Sequence, residues 1–313
     1  MKKHWILAVC VFFLGLSSLA GTEPTTFDGV KTRFSRSDTD RRLIDKDAKL
    51  ILDDGAQKLT VKNDERPLEV SYNDIQKVVF DLSTRRRGVS GKGGILFAAS
   101  PLVGEIRAGH HVNNYWCYLE YKRPDASVQS YLLEIPKKWS PNVIDKMQAL
   151  LGGKVTIAEF PEQEESIKKD TLKAVQSKDG LWIEKDLHPL PEMKPEKALV
   201  VVVCPALGVF NSGLGGKWAR YKVMLHANDD VVVVDTFGAY GFAYLDPGEY
   251  LLVSQTEKTN GFGFHIKLEA GKDYYFLQDL DPTNKGRTDL SRHSKELVMY
   301  ELSGADYTDW KPK

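Results

Sequence analysis

Apolar positions in this chain fall into three regimes. Trp5 to Leu16 is an unbroken apolar run. From residue 27 to about 157, and again from 198 to 313, apolar residues recur in short alternating segments broken by turn residues. Between those blocks, residues 158–197 are dominated by charge and proline. A period of two predicts half-buried strands, so the blocks read as two β-rich units joined by a connector.

In the first block, Lys49-Leu50-Ile51-Leu52 and Lys58-Leu59-Thr60-Val61 flank Asp53-Asp54-Gly55-Ala56, which has hairpin-turn chemistry. Leu68 to Tyr72 alternates, and so does Ile75 to Leu82, with Val78 and Phe80 on one face and Val79 on the other. Trp116 to Tyr121 and Val128 to Ile135 make two more strands around Arg123-Pro124-Asp125-Ala126. The pattern then changes to a helical spacing, with Val143, Met147, Leu150 and Leu151 on one face. Ser140 is the predicted N-cap, Pro141 the first helical residue and Gly152 the C-terminal stop.

In the connector, Ile167, Leu172 and Val175 predict a short helix, and Pro189, Pro191 and Pro195 enforce extended backbone. The second block predicts eight strands: Ala198 to Cys204, Tyr221 to His226, Val231 to Thr236, Phe242 to Leu245, Tyr250 to Ser254, Phe262 to Leu268, Tyr274 to Leu277 and Glu296 to Leu302. Turn signals at Asn228-Asp229-Asp230, Asp246-Pro247-Gly248 and Ala270-Gly271-Lys272 punctuate them, which predicts a sandwich.

The opening run changes the picture of where the chain works. Lys2, Lys3 and His4 precede it, and Ser18 and Ala20 place small residues before a cut at Gly21. That is the layout of a secretory signal peptide over residues 1–20, and the run is shorter than the ~20 residues that span a bilayer. The expectation is an exported chain, periplasmic or extracellular. A lipidated Cys10 and an uncleaved N-terminal anchor are the weaker alternatives, since Val9 stands where lipidation wants a small residue. Loss of residues 1–20 removes two basic and no acidic side chains from the 43 of each, leaving a net charge of −2. This balance argues against a nucleic-acid binder. Of three cysteines, Cys117 and Cys204 remain, each in an apolar run; an exported chain could join them in a disulfide, but they fall in different units, and the favoured reading is two buried free thiols.

Two resemblances follow from particular residues. Val70-Ser71-Tyr72-Asn73-Asp74-Ile75-Gln76-Lys77-Val78, Tyr115-Trp116-Cys117-Tyr118-Leu119-Glu120-Tyr121 and the helix after Ser140 give residues 27–157 an order of elements that resembles a bacterial pleckstrin-homology-like (PH-like) or GRAM-like β-barrel with a closing helix. Leu199-Val200-Val201-Val202, Phe242 to Tyr250, and Leu268 to Phe276 with its paired tyrosines are similar to the bacterial domain-of-unknown-function family 2846, exported small domains. That resemblance implies a transthyretin-like or carboxypeptidase-regulatory-like sandwich with no assigned catalysis.

Candidate chemistry is sparse. Gly208 to Lys217 ends in Gly216-Lys217, but a phosphate-binding loop needs glycine and Ser/Thr where Asn211 and Trp218 stand. No Gly-x-Ser-x-Gly occurs. His110 and His111 are adjacent and point opposite ways on a strand, while His188, His226, His265 and His293 are scattered. Asp279, Asp281, Asn284 and Asp289 share one loop and are the candidate calcium ligands, although an EF-hand count from Asp279 puts Asn284 and Leu290 at its glycine and glutamate positions. Arg85, Arg86 and Arg87, with Lys92, form the one basic cluster and are the candidate anionic-surface site.

The reading is an exported, non-catalytic envelope protein that acts as an interaction or binding module toward a lipid surface or a protein partner. Two alternatives stay open. One is a secreted hydrolase with its site between the domains, with His110, His111 and Asp281 as first suspects. The other is a calcium-stiffened structural envelope module.

Overall fold

The computed structural model describes residues 23–35, 43–82, 114–158, 160, 167–169, 181–184, 192–205, 222–256, 259–281 and 287–310. Among these the chain is mainly β, with two α-helices. The first unit is one sheet of eight strands: β1 (Thr25–Ser35), β2 (Leu43–Asp53), β3 (Lys58–Lys62), β4 (Leu68–Ser71), β5 (Ile75–Asp81), β6 (Asn114–Lys122), β7 (Val128–Pro136) and β8 (Val155–Ala158). Their order is β4-β3-β2-β1-β7-β6-β5-β8. The sheet is open, not the closed barrel expected. Closure needs β5 to pair with β4, but β8 occupies the outer edge of β5 in parallel, Val78 opposite Val155.

The hairpin of β2 and β3 lies where the turn residues put it. Asp53 Oδ1 accepts from Ala56 N at 2.8 Å, an Asx-type turn. The residue with positive φ is Gln57, at 54°, and not Gly55. Helix α1 (Ser140–Leu151) buries Val143, Ile144, Met147 and Leu151. Its N-cap is Trp139, not Ser140, whose hydroxyl turns back to the end of β7 and donates to Pro136 O at 3.1 Å. Gly152 ends the helix at φ 55° as its position predicts. The core of this unit runs from Phe27 to Ile157 and includes the free thiol Cys117.

The second unit is two packed sheets. The six-stranded sheet has the order β10-β19-β14-β11-β17-β18, built from β10 (Leu181–Glu184), β11 (Ala198–Cys204), β14 (Ala239–Leu245), β17 (Asp273–Asp281), β18 (Arg287–His293) and β19 (Asp306–Trp310). The five-stranded sheet has the order β13-β12-β15-β16-β9, from β9 (Ile167–Lys169), β12 (Val223–Ala227), β13 (Asp230–Asp235), β15 (Gly248–Thr256) and β16 (Thr259–Leu268). Ile167, expected in a connector helix, begins an edge strand, so the connector supplies β9 and β10 to the two sheets. Glu296 to Leu302, expected as a strand, lie instead in helix α2 (Lys295–Leu302).

Every residue of β11 is buried. A continuous apolar strand wants cover on both faces, and both are covered. Ala198, Val200 and Val202 face the sandwich core with Leu225, Leu252, Phe264 and Phe276. Leu199, Val201 and Val203 face the other way, toward α2 and toward Trp116 and Leu132 of the first sheet. The two units thus share an apolar cluster, with α2 inside it. No helix among the described residues is long and apolar enough to cross a membrane.

Candidate functional site at the seam between the two β units

The seam is built by outward-facing residues of the first sheet. On β5, Val78 and Phe80 enter the first core, while Lys77, Val79 and Asp81 face out. Val79 is only 2% exposed. The Val79–Asp81 end of that outward face is therefore buried, while Lys77 stays at the rim.

Asp81 meets the turn between β18 and α2. Its Oδ2 accepts from Ser294 N at 2.6 Å, and its Oδ1 lies 3.3 Å from His293 Nδ1. The His293 Nε2 lies 2.8 Å from Ser291 Oγ. With the carboxylate as acceptor, Nδ1 donates to Asp81, and the Ser291 hydroxyl, which can both donate and accept, meets Nε2 on the other side of the ring. Ser294 is the N-cap of α2, accepting from Leu297 N at 3.4 Å. The Asp81 carboxylate therefore also sits at the positive end of a helix, which favours its charge.

A second group of contacts closes the far end of α2. Arg33 grips Asp45 through Nε at 2.6 Å and Nη2 at 3.0 Å, pairs with Glu301 of α2, and stacks 4.7 Å over the Trp116 ring. Tyr300 donates to Arg33 O at 2.6 Å and meets Tyr118 edge to face at 6.5 Å. Burial pushes the Tyr300 hydroxyl up, well beyond the ordinary tyrosine range. Lys77 pairs with Glu296 at the rim.

The order Ser291–His293–Asp81 is that of a nucleophile, its base and an orienting acid. Three features make it a lock between units. Serine and histidine stand two residues apart on one strand, the imidazole is fully closed off, and the second oxygen of Asp81 is occupied by the start of α2. Reaching the hydroxyl, in a residue only 8% exposed, requires opening the seam.

The residues expected to carry function are placed as follows. Arg85, Arg86, Arg87, Lys92, His110, His111, His188 and Asn284 lie outside the described residues. Asp279 and Asp289 are direct cross-strand partners on β17 and β18, and Asp281 stands opposite Arg287. Among the described residues no group of three or more His, Cys, Asp or Glu side chains is gathered to hold a metal ion. His226 is buried on β12, His265 exposed on β16, and β15 separates them; His293 belongs to the other sheet.

Sequence reasoning passed over Asp81 and Ser291. Two signals for the seam were present: the run Val200 to Val203 needed cover on both faces, and Val79 put an apolar residue on the outward side of β5. Neither a protein-family model nor a curated protein matches the chain.

Proposed function

We propose that this is an exported binding module of a bacterial envelope, a rigid two-unit body whose first unit meets an anionic surface. One observation carries the reading. The first unit runs its strands in the order β4-β3-β2-β1-β7-β6-β5 and follows β7 with α1, an order that suits a PH-like module even without barrel closure. In such a module, segments that leave the sheet between strands meet head groups. Arg85 to Arg87 follow β5 within a few residues. Three arginines near anionic lipid supply roughly 1 kcal/mol each, fading within a Debye length. The second unit, a transthyretin-like or carboxypeptidase-regulatory-like sandwich in this reading, presents its edges and loops to an envelope partner.

Co-sedimentation of residues 21–313 with anionic and neutral liposomes tests it, at low and high salt, beside Arg85/Arg86/Arg87→Ala. The reading expects salt-sensitive binding to anionic vesicles that the triple variant loses. Equal pelleting of the variant, or no binding in any condition, rejects it.

A hydrolase is the second reading, favoured by the Ser291–His293–Asp81 alignment alone. Its test is a fluorophosphonate probe followed by peptide mass analysis. Modification at Ser291, lost in Ser291→Ala, supports it; an unmodified serine in folded protein leaves the alignment as a lock.

A further inference from the structure

The neighbour of the lock on β18 is Arg292, which points to the opposite side of the strand. Its guanidinium lies 5.0 Å over the Tyr274 ring and 5.2 Å over the Phe160 ring. Phe160 follows β8, so the two rings belong to different units. Tyr274 is itself fixed: its hydroxyl accepts from Glu269 N at 2.9 Å. Arg292 is half-buried, and among the described residues no carboxylate pairs with it. Burial accordingly pulls its pKa below the usual guanidinium range. Lys272 lies close enough to feel its charge.

This arrangement is unusual for a structural arginine. A partly desolvated cation is costly without a counter-ion, and cation–π contacts of about 1–2 kcal/mol offset only part of that. Both rings lie within cation–π distance of the guanidinium carbon, and neither is a counter-ion. The guanidinium brings up to five N–H donors in a fixed fork, and among the described residues no carboxylate meets them. A guanidinium already packed against two rings loses less freedom on binding, which favours a bidentate oxyanion.

We propose that Arg292, packed against both Phe160 and Tyr274 and near Lys272, is the anchor of an oxyanion-binding site that takes a phosphate or carboxylate group. The site is separate from the basic segment after β5 and does not depend on it. Lys272 is near enough to feel the Arg292 charge and is itself paired with Glu269 at 2.5 Å, so Arg292 carries the anion.

The test is thermal unfolding of residues 21–313 in sodium phosphate, sodium acetate and sodium chloride at matched ionic strength, with Arg292→Gln and Arg292→Lys alongside. At about ten times Kd a single site raises Tm by about 2–4 °C in a chain of this size. The expected result is a rise in phosphate or acetate over chloride, absent in Arg292→Gln and reduced in Arg292→Lys, which keeps the charge and loses the fork. Phosphatidylglycerol vesicles distinguish the source. Vesicle binding lost in Arg292→Gln but kept in Arg85/Arg86/Arg87→Ala identifies a lipid phosphate, and the Tm rise without vesicle binding identifies a soluble oxyanion. No oxyanion-specific rise in the parent chain, or the same rise in a folded Arg292→Gln, overturns the proposal. If Arg292→Gln fails to fold, Arg292→Lys decides: an undiminished rise overturns it.

Discussion

At Asp235, burial pushes the carboxyl up to about 8, although the Thr308 hydroxyl that donates to Oδ1 pulls the other way. Its Oδ2 has no hydrogen-bond partner. The native chain therefore holds a proton that the unfolded chain releases near pH 4. Between those two values stability falls as pH rises, by about 1.4 kcal/mol per unit from this one group, and the loss is complete above pH 8. Asp235→Asn removes the titration and retains an acceptor for Thr308. Melts at pH 5 and pH 8 are expected to show the variant gaining on the parent as pH rises; a constant difference contradicts the assignment. The same side chain fixes Gly241. A Cβ there meets Val233 Cγ1 at 2.5 Å and Asp235 Oδ1 at 3.0 Å. Gly241→Ala is expected to cost about 1–3 kcal/mol in urea unfolding, as overpacking does, and a neutral result means that β13 and β14 yield at this contact.

Among the elements, α2 depends most on its start. Ser294 caps Leu297 N, and Asp81 in turn holds Ser294 N. Ser294→Ala is expected to cost about 1 kcal/mol in chemical denaturation, with the loss shrinking once Asp81 is already removed. Strict additivity of the two substitutions indicates that they do not act on one helix end. This element was the one most misread from sequence. Leu297, Val298, Glu301 and Leu302 are its buried face, but Glu296 to Leu302 also fits a strand in a block already full of strands. The deciding signal was local: a serine three residues before a backbone N–H that needs an acceptor. By contrast, β5 to β7, α1 with Gly152 and the β2–β3 turn were legible, because alternation, helical spacing and turn chemistry each act within a few residues. The connector was not, since β9 and β10 are strands only through partners on β16 and β19.

For the molecule as a whole, the seam decides whether two β units behave as one. Asp81 and His293 are 212 residues apart in sequence, and no spacing rule connects them. What sequence could supply was indirect: the valine run of β11 demanded a second cover, and Trp116 and Leu132 with α2 provide it. Removing the lock should reach both units together. Asp81→Ala leaves His293 and the cap of α2 without their acceptor and is expected to cost about 3 kcal/mol. The binding reading relies on this rigidity, because a surface contact made by the first unit then orients the second. Scanning calorimetry of residues 21–313, parent and Asp81→Ala, is the most direct test. The account predicts a single cooperative transition in the parent that moves down as one, or splits, in the variant. Two independent transitions in the parent, with only one of them shifted by Asp81→Ala, contradict it.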